Sequence, residues 1–350
     1  MVRIGIIGTG GITCGKHIPE LVKVRDAKIT ALCDIDPAAM EKAAKIANVV
    51  ETAHRFTDWH DLIACEDVDA VEICTPNYLH VPMAIAAVQA GKPIHVEKPL
   101  GMTYEETMTL ADALKANPVP NMMCFSYRYF PAVRYAKYIL DKGLLGRIVD
   151  VHAEYLKSSA FREGRKLDWR FEKQYAGTGV LGDLGAHLLD AMQFLVSPVV
   201  CIAGQTATVV KEREKLDGSG IGKVTTDDYC SFIAALENGA NATFRITRCA
   251  IGNANTIRFD ICGTEGVISF NLNDPSVLNV CIGEIDKKSD GIHTVKVPPE
   301  FTCTQEQTFV DVAQGKDVPF APTVEDGIRV QKVLDAIYAS AEEKRFVTIS

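Results

Sequence analysis

Short apolar runs alternate with amphipathic stretches through the first third of the chain. Residues 3–7, 28–33, 70–74, 94–97 and 122–125 are brief, apolar and rich in β-branched side chains, as strands buried on both faces are. Between them, residues 37–46, 81–90 and 104–116 read as helices. Pro37 follows Asp36 as a first-turn proline follows its cap, and Gly91 closes the second helix. Strands alternating with helices predict βαβ units around a parallel sheet. After about residue 121 the texture changes. Residues 131–142 predict a helix ending at Gly143, 149–155 a strand, 158–179 a polar irregular stretch and 181–196 a helix. Strand patterns then dominate residues 199–297, with Asn238-Gly239 marking a hairpin. Gly218, Gly220 and Gly222 predict a mobile loop over 211–226. Two helices, about 305–314 and 324–343, close the chain. The expected fold class is α/β over residues 1–124, with a doubly wound parallel sheet. An α+β domain over 125–350 follows, built on a large open mixed or antiparallel sheet.

Composition narrows the class. The 350 residues are 47% hydrophobic and 23% charged, which excludes disordered, collagen-like and coiled-coil chains. No apolar run is long enough to cross a bilayer, and no basic leader precedes one, so neither a membrane nor secretion is expected. The net charge is −8 and the 37 basic residues form no stripe, so no nucleic-acid partner is expected. None of the 11 cysteines forms a C-x-x-C pair, and most sit in apolar strands. They read as reduced, buried thiols of a cytoplasmic protein. No His/Cys/Asp/Glu set has metal-ligand spacing, so no metal is expected.

Chemistry enters at Gly8-Thr9-Gly10-Gly11-Ile12-Thr13, directly after the first strand and opening a helix. Glycines there let the chain turn and let a pyrophosphate approach the helix N-terminus, the fingerprint of a Rossmann dinucleotide-binding unit. The third fingerprint position is Thr13, where Gly or Ala is usual. Asp34 ends the second strand and is placed to accept the adenosine ribose hydroxyls. Asp36 adds negative charge and no Arg or Lys occupies residues 35–39. NAD is therefore expected as cofactor in preference to NADP.

Three further motifs carry a resemblance. Thr75-Pro76-Asn77 with His80, then Ala90-Gly91-Lys92-Pro93 and Glu97-Lys98-Pro99-Leu100, precede Trp169-Arg170. The run from Gly177 to His187, containing Asp183, comes last. With these motifs the chain resembles the Gfo/Idh/MocA oxidoreductases over nearly its whole length. Thr178 departs from the pattern at a position where Gly is common. The resemblance implies that Lys98 is a catalytic lysine contacting nicotinamide ribose and substrate. Glu97 with Lys98, and Thr75, Pro76 and Asn77, would lie beside the cofactor. Asp183 would bind substrate and His187 would accept a proton. A homodimer or homotetramer formed by the second domain is also implied.

The residues themselves support part of this. Asp183 and His187 are four apart and share a helix face, beside an apolar stripe of Leu181, Leu184, Leu188, Ala191 and Leu195. Asp190 reads as structural, orienting His187. Lys98 sits at the C-terminal edge of a parallel strand, where open α/β sheets bind ligands. For His80 a cap or packing role stands beside a cofactor-site role, and His95 reads as core. Arg128, Trp169 and Arg170 read as groups lining the substrate cleft, and for Arg170 an ordinary salt bridge stands beside that role. The expected reaction is NAD-dependent hydride transfer to or from a secondary alcohol of a sugar, inositol or related polyol. Two alternatives stay open: a redox-neutral glycosidase of the same fold, and a non-enzymatic dinucleotide-binding regulator.

Overall fold

The computed structural model describes residues 1–289 and 291–349. The chain forms two compact units. One comprises Met1–Phe125 with Cys303–Arg329, the other Ser126–Thr302 with the chain from Val330 onward.

In the first unit, strands β1 (Val2–Ile7), β2 (Ala27–Cys33), β3 (His54–Phe56), β4 (Ala70–Ile73), β5 (Ile94–Val96) and β6 (Asn121–Met123) form one sheet. Their order is β3-β2-β1-β4-β5-β6 and every pair is parallel. The order reverses between β1 and β4, the switch point at which such sheets bind ligands. The helix Pro37–Ala47 starts as the sequence suggests: Asp36 caps it by accepting from Ala38 N at 2.9 Å. The polar edge strand β3 and the helix Trp59–Ala64 after it are additions to the expected elements. The helix Gln305–Ala313 packs Phe309 and Val310 into the same core as Ile4, Ile18, Leu32 and Met122. Residues 303–329 thus group with the first unit, whereas the sequence reading assigned everything after residue 124 to the second.

The second unit holds a nine-stranded sheet. Its strands are β7 (Ile148–Leu156), β8 (Val199–Ala207), β11 (Tyr229–Leu236), β12 (Asn241–Thr247), β13 (Thr256–Gly263), β14 (Gly266–Asn271), β15 (Val277–Ile282), β16 (His293–Lys296) and β17 (Val347–Thr348). Their order is β16-β15-β14-β13-β7-β12-β11-β8-β17. β12 pairs parallel to β7 and the other pairs are antiparallel, so the sheet is mixed. Burial alternates along β11 and β12, and Phe232 stacks on its cross-strand partner Phe244 at 4.4 Å. The expected turn at Asn238-Gly239 joins these two strands, with Gly239 at φ 84°. The expected mobile loop is instead a paired hairpin, β9 (Glu212–Glu214) with β10 (Ile221–Lys223). Three-residue polar strands leave no apolar alternation in the sequence to read. The helix expected over 181–196 opens with a π turn, Leu181–Gly185, before its α-helical part, Ala186–Leu195. The first unit repeats this device after its glycine loop, with a π turn at Thr13–His17 running into Ile18–Leu21. Among the described residues no helix is long and apolar enough to cross a membrane.

Candidate active site

The glycine loop is shaped by contacts a larger residue could not make. Gly8 has φ 90°, and a Cβ there would lie 2.6 Å from the Cys74 carbonyl oxygen. Thr9 donates its amide and hydroxyl to Asp34 Oδ2, at 2.7 and 2.9 Å, and Asp36 N donates to Asp34 Oδ1 at 3.0 Å. Asp34 therefore bolts the loop to the end of β2. Thr13 explains its own departure from the fingerprint: its buried hydroxyl donates to the Gly8 carbonyl at 2.6 Å. Gly10 and Gly11 are exposed, and nothing lies within 4 Å of where their Cβ atoms would be. Their amides precede the first helical bond, Cys14 N to Gly10 O at 3.0 Å, and so are orphan donors of a helix N-terminus. Open space beside such amides fits a pyrophosphate.

At the ends of β4 and β5, His80 is fully enclosed. Its Nδ1 lies 2.8 Å from the Pro99 carbonyl and its Nε2 2.9 Å from the Thr75 carbonyl. Burial holds its proton affinity below the ordinary histidine value. A neutral ring has a single N–H and donates to one of these carbonyls at a time. His80 is thus a brace between the main chains of Thr75 and Pro99, the packing role rather than a cofactor contact. Thr75 Oγ1 faces Met83 Sδ at 3.7 Å, and Pro76 and buried Asn77 open the turn before His80. The Lys98–Pro99 bond is cis. Glu97 was expected to face the cofactor. Its carboxylate turns inward instead, with Oε1 3.0 Å from His17 Nε2 and Oε2 accepting from Lys98 N at 3.0 Å. Lys98 itself is only half-buried.

In the second unit the glycine-rich turn hangs on buried Asp227. Gly179 N donates to its Oδ1 at 2.7 Å and Leu181 N to its Oδ2 at 2.9 Å, while the Tyr338 hydroxyl donates to Oδ1. Burial raises this carboxyl above its usual range, against those hydrogen bonds. A Cβ on Gly179 would fall 2.1 Å from Asp227 O, which demands glycine. Thr178 fits beside Gly182, where a Cβ would meet its Oγ1 at 1.8 Å. The turn delivers Asp183 in the π segment and His187 in the helix after it. The Tyr127 ring stacks on the His187 imidazole at 4.3 Å and 16°, and Tyr155 lies 5.8 Å from Tyr127. Both tyrosine hydroxyls hold their protons more tightly than usual, chiefly through burial, with the Asp183 charge contributing to each. Asp183, His187, Tyr127 and Tyr155 thus form one group, of which sequence reading missed the tyrosines. Polar hydroxyls on flat apolar rings suit a ligand with alternating C–H and O–H faces.

Arg128 needs correction. Its Nε and Nη2 donate to Asp190 at 2.9 and 2.6 Å in a buried ion pair, and its guanidinium lies 4.8 Å from the Phe194 ring. It anchors the helix carrying His187 and is not a cleft-lining group, and Asp190 serves that anchor. Trp169 and exposed Arg170 stack on each other at 4.3 Å, with Asp168 accepting from Arg170 N at 2.9 Å.

Residues 2–125 match the oxidoreductase family with an NAD-binding Rossmann fold, and residues 133–269 match the GFO/IDH/MocA C-terminal domain. Levoglucosan dehydrogenase of Pseudarthrobacter phenanthrenivorans is 32% identical over 347 residues, covering 90% of this chain and 88% of that protein. The chain belongs to the GFO/IDH/MocA family. Its first unit is therefore an NAD-binding domain, and the motif resemblance and the fold class both hold. Among other family members, glucose-6-phosphate 3-dehydrogenase of Bacillus subtilis is 25% identical, with 100% of this chain and 99% of that protein covered. The solved complex of levoglucosan dehydrogenase with NADH and levoglucosan matches at a TM-score of 0.87 and 30% identity, covering 99% of each chain.

Proposed function

We propose that this GFO/IDH/MocA oxidoreductase transfers a hydride between NAD and a secondary alcohol or ketone of a sugar or related polyol. The observation that carries this reading is the group of Asp183 and His187 with Tyr127 stacked on the imidazole. It sets a proton acceptor and a hydroxyl-binding carboxylate at one helix start against an aromatic surface from the turn Ser126–Tyr129. Bound NAD supplies the hydride acceptor. The residues of the chain do the rest. His187, neutral, takes the hydroxyl proton. Asp183 accepts from a neighbouring hydroxyl and orients the ring. Lys98 stabilises developing alkoxide charge. Gly8, Thr9, Gly10, Gly11 and Ile12 hold the pyrophosphate, and Asp34 holds the ribose while repelling a 2′-phosphate, which favours NAD over NADP. The activities named for the relatives make levoglucosan, glucose 6-phosphate and inositol the first substrates to try. The free thiols of all the cysteines suit a cytoplasmic setting, and the half-exposed outer face of β11 and β12 suits assembly into a homo-oligomer.

The test is NADH formation from NAD across a panel of sugars and polyols, with aryl glycosides included. Net NADH should form from at least one sugar. His187→Ala and Lys98→Met should each cost about a hundredfold or more in rate while keeping NADH affinity. In the wild type, oxidation should rise with pH through a limb that His187→Ala abolishes. Aglycone release without net NADH, or near-normal turnover in both variants, would overturn the reading.

A further inference from the structure

Beneath the ends of β4, β5 and β6, the first unit buries a set of ligating side chains that hydride transfer does not use. His17 closes the π turn of the phosphate-loop helix, Glu72 lies in β4, His95 in β5, and Cys124 just past β6. One donor atom from each lies within 4.8 Å of all the others, and all four residues are buried. Glu306, on the helix that returns to this unit, completes the group. His17 Nδ1 lies 2.6 Å from Glu72 Oε1 and 2.9 Å from Glu306 Oε1. His95 Nδ1 lies 3.4 Å from Glu72 Oε1 and 3.8 Å from Glu306 Oε2.

We propose that this cluster is a binding site for a divalent transition-metal ion of the zinc class. Three observations converge on it. The first is geometric. Zinc–nitrogen and zinc–oxygen bonds of about 2.0–2.1 Å in a tetrahedron set donors about 3.3 Å apart, and the four contacts above bracket that edge length. The second is satisfaction. Both ring nitrogens of His95, both carboxylate oxygens of Glu72 and Glu306 Oε2 are buried and complete no hydrogen bond. Buried polar atoms normally find a partner, and Glu72 and His95 each bring one donor atom to within 4.8 Å of those of His17 and Cys124. The third is charge. Glu72, Glu97 and Glu306 are carboxylates packed around two imidazoles with almost no solvent contact. A dication offsets two of those charges at once, where unpaired burial is costly.

The donor chemistry selects the ion. Imidazole nitrogen with thiolate sulfur suits zinc-class metals and disfavours magnesium and calcium, which prefer all-oxygen cages. Full enclosure leaves no open position for substrate, so the ion is structural. It ties the phosphate-loop helix to three strands and to the returning helix. The sequence predicts no metal because a ligand set is legible there only as local spacing. Positions 17, 72, 95, 124 and 306 have none and are collected only by the parallel order of the strands.

The test uses the full-length chain, expressed in zinc-supplemented medium and dialysed without chelator. Elemental mass spectrometry should find about one zinc per chain. Chelation should lower the melting temperature, and zinc alone should restore it. His95→Gln should retain less than about a tenth of that zinc. Should that protein fail to fold, wild type reloaded with Co2+ gives a second reading. It should show a thiolate-to-cobalt charge-transfer band that the one-atom change Cys124→Ser removes. The proposal is overturned by wild-type protein that carries no stoichiometric metal and melts identically with and without zinc. It is equally overturned by zinc retained in full in both variants, or by a cobalt protein lacking the thiolate band.

Discussion

The two glycines of the phosphate loop should fail in opposite ways when given a methyl group. Gly8→Ala places an L side chain at φ 90°, which costs about 1–2 kcal/mol. Its Cβ would also press on Cys74 O at 2.6 Å, Cys74 C at 2.7 Å and Thr75 N at 3.0 Å. These are backbone atoms of the neighbouring strand end, which cannot rotate aside, so a further cost of about 1–3 kcal/mol is expected. The sum, about 2–5 kcal/mol, should appear in the protein without cofactor as a melting temperature lower by roughly 3–7 °C. Gly10→Ala has neither problem: its φ is not positive and nothing lies within 4 Å of the new methyl. Its fold should change by less than about 1 kcal/mol, the cost of an unstrained exposed substitution. The methyl would, however, occupy the space a pyrophosphate needs, so NADH affinity should fall at least about tenfold. Urea unfolding of the free proteins and NADH fluorescence titration separate the two effects. A Gly8→Ala protein as stable as wild type, or a Gly10→Ala protein that loses stability but not NADH, refutes the reasoning.

Three further outcomes follow from buried groups. Arg128→Met leaves the Asp190 carboxylate buried without its guanidinium and should cost about 3–5 kcal/mol in urea unfolding; a loss below about 1 kcal/mol would contradict the anchor role. Asp227→Asn sets an amide N–H against one of the Gly179 and Leu181 amides and should cost about 2–4 kcal/mol. It should also slow turnover through the Asp183 turn while sparing NADH affinity, and unchanged turnover would separate the latch from the site. His80 has a depressed proton affinity when folded, so its neutral form contributes stability above the ordinary value of 6.5. As pH falls below that value the unfolded chain takes the proton first, and the contribution is lost on the way to the folded value. The stability difference between wild type and His80→Gln should therefore shrink on acidification; a difference constant with pH contradicts a buried neutral ring.

What could be read in the sequence divides along physical lines. β1, β2, β4, β5 and β6 are largely buried on both faces, so their residues are mainly apolar and announce themselves, although Glu72 and His95 sit among them. β3, at the polar edge, and the β9–β10 hairpin carry no such signal, and glycines around the latter suggested a loop. Gly8 and Asp34 belong to a local fingerprint whose spacing is dictated by the turn and the ribose. Tyr127 and Tyr155 have no local pattern, since Tyr127 stacks on His187 and Tyr155 lies beside Tyr127, each from a separate element. Arg128, Glu97 and the group around His17 show the harder limit. Whether a charged side chain faces a ligand or a buried partner depends on residues far away in sequence, such as Asp190 and Glu306.

The two π turns give the chain an uneven tolerance to changes in length. A π turn closes with i→i+5 bonds and so stores one residue more than an α turn. Losing one residue from Thr13–His17 or from Leu181–Gly185 would let the helix anneal into regular α geometry without breaking it. Everything on one side would then be rephased by about 100° against the other. For the first, this swings His17 away from Glu97. For the second, it swings His187 off the Tyr127 ring. Insertions elsewhere on the surface alter loops, whereas in these two turns the residue count itself sets the direction in which a histidine points. Drift in chain length should therefore collect around them and leave them intact.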